Sequence, residues 1–225
     1  MRKKIGAFSL SLGLLAGGSV AAGAQSAPLR ITAFGDSLVQ GFGLPQGEGL
    51  VPQLEAWLRA KGADVSVANA GVSGDTTAGG AARIDWTLSD QPDAMVVLLG
   101  GNDLLRGLPP EQSRANLHQI LSSAHARGVG LVLIGMKAPL NYGMDYKTAF
   151  DAIYTDLAAE FDAPLIEDAF AGMRLEAGED PQGWQVFMQA DGIHPNREGV
   201  AANVAVIGPI VLEKLSQIQE AAETR

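Results

Sequence analysis

Cysteine is absent from the 225 residues. Disulfide staples, thiolate metal sites and a lipid anchor attached through cysteine are therefore excluded. Histidine occurs three times, too sparsely without thiolates to suggest a catalytic metal site. Aromatic residues make up only 6% of the chain, which offers little surface for stacking sugars. Basic residues number 16 against 25 acidic ones, a formal charge of −9. An acidic surface repels phosphate backbones and anionic membranes, so no nucleic-acid partner is expected. The sequence holds no G-x-x-x-x-G-K-[ST] and no G-x-G-x-x-G, so a nucleotide would find no phosphate cradle and no cofactor is expected.

What is present suits one α/β domain. Hydrophobic residues supply 47% and charged residues 18%, an ordinary globular balance with ample material for a core. The first 24 residues read separately. Arg2, Lys3 and Lys4 precede an apolar run from Ile5 to Ala16, and Ala22-Gly23-Ala24 follows as an A-x-A site. This is the layout of a cleaved secretory signal peptide, with a run too short to span a bilayer. Its removal would leave residues 25–225 as one domain in the periplasm or outside the cell. Three basic residues would go with it, leaving 13 basic against 25 acidic and a charge of −12.

Beyond that leader, short apolar runs alternate with segments of helical period. Strands are expected at residues 29–34, 65–68, 95–99, 129–135 and 164–166. Helices are expected at 50–58, 77–88, 115–126, 146–161 and 196–218, the last loosened by Gly208-Pro209 and followed by a frayed polar tail. Such alternation implies βαβ units, hence a three-layer α/β/α sandwich with a mainly parallel sheet. In these sheets sites gather in loops beyond the carboxyl ends of the strands.

Four of those loops carry chemistry. Gly35-Asp36-Ser37-Leu38 follows the first strand, where a serine hydroxyl can stand above the sheet. Serine and aspartate at a strand-to-helix turn are also ordinary caps. Asp191-Gly192-Ile193-His194-Pro195 offers a carboxylate three positions from an imidazole, in a turn that can fold one onto the other. A serine nucleophile needs such an oriented base. His118 and His125 fall at helical spacing and read as surface side chains. Gly71-Val72-Ser73-Gly74-Asp75 and Gly100-Gly101-Asn102-Asp103 add backbone N–H groups and an amide able to meet negative charge on a carbonyl oxygen. Each loop alone also reads as a turn or cap.

Together, Gly35-Asp36-Ser37-Leu38, Gly74, Gly101-Asn102-Asp103 and Asp191-x-x-His194-Pro195 resemble the ordered blocks of the SGNH, or GDSL-type, hydrolases. The resemblance runs from Ile31 to about Gly199 and puts the family's Ser, Gly, Asn and His on Ser37, Gly74, Asn102 and His194. Val72 to Thr77, Leu99 to Asp103 and Pro139 to Gly143 further resemble the bacterial periplasmic branch described as acyl-CoA thioesterase I, arylesterase and lysophospholipase L1. Lys137 and Leu140 depart from that pattern, which usually sets proline beside Asn-Tyr-Gly; the departure bears on substrate preference. The nucleophile elbow G-x-S-x-G of other α/β-hydrolases is missing.

The resemblance implies an ester or thioester hydrolase that acts on small acyl substrates as a monomer. Ser37, Asp191 and His194 would form its catalytic triad, with Ser37, Gly74 and Asn102 as oxyanion donors. Asp36 and Asp103 would support the loops, and Leu38, Leu104, Asn141, Tyr142 and Ile193 would contact substrate. A general base must be neutral, so activity is expected to fade below about pH 6.5, where histidine ordinarily takes up a proton. A carbohydrate O-acetyl esterase on the same fold, or a non-catalytic binding domain, are the alternatives.

Overall fold

A computed structural model describes residues 27–178 and 181–224. The predicted signal peptide lies outside the described residues. Five strands form one parallel sheet: β1 (Leu29–Gly35), β2 (Val65–Gly71), β3 (Ala94–Leu98), β4 (Gly130–Ile134) and β5 (Leu165–Ile166). Their order is β2-β1-β3-β4-β5. Every residue of β3 is buried, as an apolar run covered on both faces requires.

Helices fill the connections: α1 (Ser37–Gln40), α2 (Leu50–Ala60), α3 (Thr77–Thr87), α4 (Gly101–Leu105), α5 (Pro110–His125), α6 (Met144–Glu160), α7 (Ala171–Ala177), α8 (Pro181–Gln185) and α9 (Arg197–Glu223). Helices α2, α7 and α9 pack together, as do α3, α5 and α6, giving the two outer layers of the expected sandwich. The strand order reverses between β1 and β3, and that switch point opens a crevice beyond the carboxyl ends of both strands.

Several boundaries differ from the sequence reading for physical reasons. The helix expected from residue 115 begins at Pro110, since proline suits the first helical turn and a polar first turn carries no apolar period. The loosening expected at Gly208-Pro209 and the frayed tail do not occur: α9 runs unbroken to Glu223 with Pro209 inside it. The indole of Trp57 lies against Gly208, so close that a Cβ there would fall 2.5 Å from Trp57 Cε3. Packing against α2 offsets the one backbone hydrogen bond that proline removes. By length and composition α9 could cross a membrane, yet it buries Val200, Val204, Ile207, Val211 and Leu215 in the protein core. Helices α1, α4, α7 and α8 were not foreseen, because four to seven residues hold too little period to read.

Candidate active site

At the end of β1 the chain turns sharply into α1. Asp36 caps that helix, its carboxylate accepting from the N–H of Leu38 at 3.0 Å. The cap role therefore falls to Asp36, and Ser37 occupies the first helical position with its hydroxyl free for another partner. That partner is His194, whose Nε2 lies 2.9 Å from Ser37 Oγ. On the far side of the ring, His194 Nδ1 lies 2.6 Å from Asp191 Oδ2. Residues 157 positions apart are thus joined in one relay.

The turn that makes this possible is local. Asp191 Oδ1 accepts from the N–H groups of Ile193 and His194, while Gly192 takes the left-handed backbone (φ 67°) that closes the turn. Gln189 braces it, donating from Nε2 to the carbonyls of Phe42 and Pro195 at 2.8 and 2.9 Å. The ring of Phe42 tilts against His194 with centroids 4.8 Å apart.

Asp191 is held down to about 2 by its hydrogen bond to the His194 ring and then by the two backbone N–H groups. It therefore stays ionised at any working pH, and loss of activity in mild acid belongs to another group. Asp36 is 2% exposed, and burial pushes it up to about 6 against the Leu38 N–H and nearby His194, which favour its charge. The folded chain holds this proton more tightly than the unfolded chain, where the value is 3.8. Charged Asp36 accordingly costs stability: nothing below about pH 3.8, more as pH rises through about 6, and the full amount above it. A proton held about two pH units more tightly corresponds to about 3 kcal/mol. Asp36→Asn is expected to raise unfolding free energy by up to about 3 kcal/mol at pH 8 and by nothing at pH 3.5. Urea melts at the two pH values check this; an equal effect at both would contradict it.

The other two loops complete the site. Gly74 follows β2 with φ 82°, and its N–H, like that of Ser37, has no acceptor among the described residues. Asn102 sits in the first turn of α4 beyond β3. Its Nδ2 donates to the carbonyl of Asp75 at 2.9 Å and stands 3.5 Å from Asp36 Oδ2. The first bond sets which way the amide faces, and the second, at 3.5 Å, is long and weak. The next residue, Asp103, is buried and accepts from Thr77 N–H, Thr77 Oγ1 and Ser113 Oγ at 2.8, 2.6 and 3.0 Å. It ties α4 to the start of α3, a supporting position.

Beside Ser37 and His194 lies a narrow, mainly apolar cleft. Its walls are Leu38, Phe42, Leu44, Leu50, Leu98, Phe170, Val200 and Ile207, with Asn203 among them. Of the residues expected to contact substrate, the structure brings Leu38 alone into this cleft. Leu104 is 8% exposed and belongs to the core, because α4 turns Asp103 and Leu104 inward together. Asn141 and Tyr142 lie exposed in a 3-10 turn, where Tyr142 donates to the Leu105 carbonyl at 3.2 Å. Ile193 is 47% exposed beside His194 and outside the cleft. Phe42, Leu44, Leu50 and Phe170 escaped the sequence reading, since no local pattern marks an apolar side chain as a cleft wall. His118 and His125 lie on α5; His118 pairs with Glu160 at 2.9 Å and His125 packs on Phe161. Among the described residues no cluster of His, Asp or Glu could hold a metal ion.

A parallel 2-1-3-4-5 sheet that gathers serine, glycine, asparagine and histidine blocks beyond its strand ends has the architecture of the SGNH class of ester hydrolases. Residues 33–202 match the GDSL-like Lipase/Acylhydrolase family. The chain belongs to that family, and it is a carboxylic ester hydrolase. It is 40% identical over 172 residues to Esterase TesA of Pseudomonas aeruginosa, covering 76% of this chain and 82% of that protein. It is 41% identical over 165 residues to Thioesterase 1/protease 1/lysophospholipase L1 of Escherichia coli, covering 73% of this chain and 74% of that protein. The crystal structure of TesA superposes with a TM-score of 0.73 at 35% identity, covering 82% of this chain and 99% of that one.

Proposed function

We propose that this protein hydrolyses esters and thioesters of apolar acyl groups through a covalent acyl-enzyme on Ser37. The unbroken relay from Asp191 Oδ2 through His194 to Ser37 Oγ, at 2.6 and 2.9 Å, carries the proposal. His194 Nε2 takes the hydroxyl proton as Ser37 Oγ attacks the carbonyl carbon. Asp191 holds the imidazole with its proton on Nδ1 and steadies the imidazolium that forms. The oxyanion is met by the N–H of Ser37, the N–H of Gly74 and the amide of Asn102. His194 then gives its proton to the leaving alcohol or thiol. Water, deprotonated by the same ring, releases the carboxylic acid from Ser37.

The walls of the cleft favour an acyl chain over a sugar, because apolar side chains leave sugar hydroxyls without partners. Hydrolysis of p-nitrophenyl esters from acetyl to palmitoyl tests this, with Ser37→Ala beside the wild type. Turnover that rises beyond acetate supports the acyl reading; turnover confined to acetate moves the assignment to an O-acetyl esterase. Losing one oxyanion donor costs about 10²–10³ in kcat, so Asn102→Ala should fall in that range with KM little changed. A loss under about threefold would remove Asn102 from the oxyanion site.

The protein is further proposed to act outside the cytoplasm, on the strength of Arg2-Lys3-Lys4, the apolar run and Ala22-Gly23-Ala24, and as a monomer, on the strength of its strongly acidic surface. Intact mass of the exported protein checks the cleavage: a chain beginning at Gln25 supports it, and a retained leader contradicts it.

A further inference from the structure

Arg83, on α3, touches neither Ser37 nor His194, yet it meets two of the loops that build the site. Its Nε donates to Asp75 Oδ2 at 2.7 Å and its Nη2 donates to the Gly35 carbonyl at 2.9 Å. The guanidinium also lies 4.0 Å from the ring centroid of buried Phe34. Gly35 is two residues before Ser37. Asp75 follows Gly74, and its own carbonyl accepts from Asn102 Nδ2 at 2.9 Å. One planar group therefore bridges the serine turn to the glycine loop, and the glycine loop holds the asparagine.

The site is built for that bridge. The Arg83 and Asp75 side chains are 19% and 17% exposed, so solvent screens the pair far less than a surface ion pair. Gly79 leaves the space that the carboxylate occupies; a Cβ there would fall 2.2 Å from Asp75 Oδ1. A guanidinium presents several N–H groups in a fixed fork, and a lysine ammonium on a flexible stem does not.

We infer that Arg83 is a positioning residue: it sets the spacing between the Ser37 turn and the Gly74–Asn102 donors, and so the geometry in which the oxyanion is held. The inference rests on the proposed roles of Ser37 and Asn102. A displacement of about 1 Å at a reacting centre can cost on the order of 10²-fold. Arg83→Lys is therefore expected to lower kcat about 10- to 100-fold with KM within about threefold.

The deciding measurement is a double-mutant cycle with Asn102→Ala on a p-nitrophenyl ester, with rates normalised by titrating reactive serine with a phosphonate. If Arg83 acts through the oxyanion donors, Arg83→Lys costs less than about threefold once Asn102 is gone. Full additivity, or a wild-type kcat in Arg83→Lys, overturns the inference. Asp75→Ala breaks the same bridge from its other end and should reproduce the kcat loss should Arg83→Lys fold poorly; unchanged kcat there is equally fatal. Arg114→Lys, in an exposed pair with Asp156, should leave kcat unchanged. A Ser37→Ala protein that still turns over ester removes the nucleophile assignment and this inference with it. An inert Ser37→Ala beside a wild-type-like Arg83→Lys removes this inference alone.

Discussion

Ser37→Ala is expected to lower kcat on any ester substrate by about 10⁶-fold while the protein stays folded. Removing the nucleophile of a serine triad abolishes the covalent route, and what remains over water, about 10³–10⁴, comes from binding and the oxyanion donors. The fold should tolerate the change. Ser37 leaves the capping of α1 to Asp36, and among the described residues its hydroxyl is bonded only to His194 Nε2. An unfolding free energy within about 1 kcal/mol of wild type is the expected companion result, as for substitutions away from the core. Turnover with p-nitrophenyl butyrate, with KM and a urea melt on the same preparation, reads both quantities. Activity within tenfold of wild type would mean that another group attacks the carbonyl.

The second large effect is expected at Asp191. An Asp191→Asn protein keeps the shape of the turn, since the amide oxygen can still accept from the N–H groups of Ile193 and His194. It loses the negative charge that, in the proposed mechanism, fixes the proton on His194 Nδ1 and stabilises the imidazolium. The corresponding change in the serine-protease triad costs about 10⁴ in kcat, and a loss of that order is expected here with KM nearly unchanged. Because Asp191 is held down to about 2, the wild-type rate should show no limb from this carboxylate above about pH 3. A loss below tenfold in Asp191→Asn would show that the imidazole needs no charged partner here. His118→Gln serves as the contrast: His118 is half exposed on α5 and pairs with Glu160 of α6, and the variant's rate should match wild type.

Much of the fold was legible because it is written in short-range patterns. The apolar run of β3 announces a strand buried on both faces, and the periods of α2, α5 and α6 announce helices that cover them. The relay is partly local as well: Asp191 and His194 are three residues apart, and one turn with Gly192 at φ 67° brings them into contact. The continuity of α9 through Pro209 was not legible, because Trp57, on a helix about 150 residues earlier, packs where the sequence suggested a break. The burial of Leu104 in the core was not legible for a related reason. An apolar residue beside Asn102 faces the core or the cleft according to which way α4 rolls, and Asp103, anchored to Thr77 and Ser113, rolls it inward.

The sequence by itself determined the succession of strands and helices along the chain, the four loops with their polar groups and the closeness of Asp191 to His194. Each is a matter of residue type and spacing along a chain whose periods are 2 and 3.6. Only the tertiary structure decided that the strand order reverses between β1 and β3, setting Ser37 and Asn102 on opposite sides of one crevice. It also decided which apolar side chains line the cleft and that Arg83 bridges Gly35 to Asp75. Those contacts include one across 48 positions, from Arg83 to Gly35, although Asp75 lies only 8 positions from Arg83. Their geometry is fixed by how layers pack, and packing depends on the whole set of neighbours at once, so no window of sequence contains it.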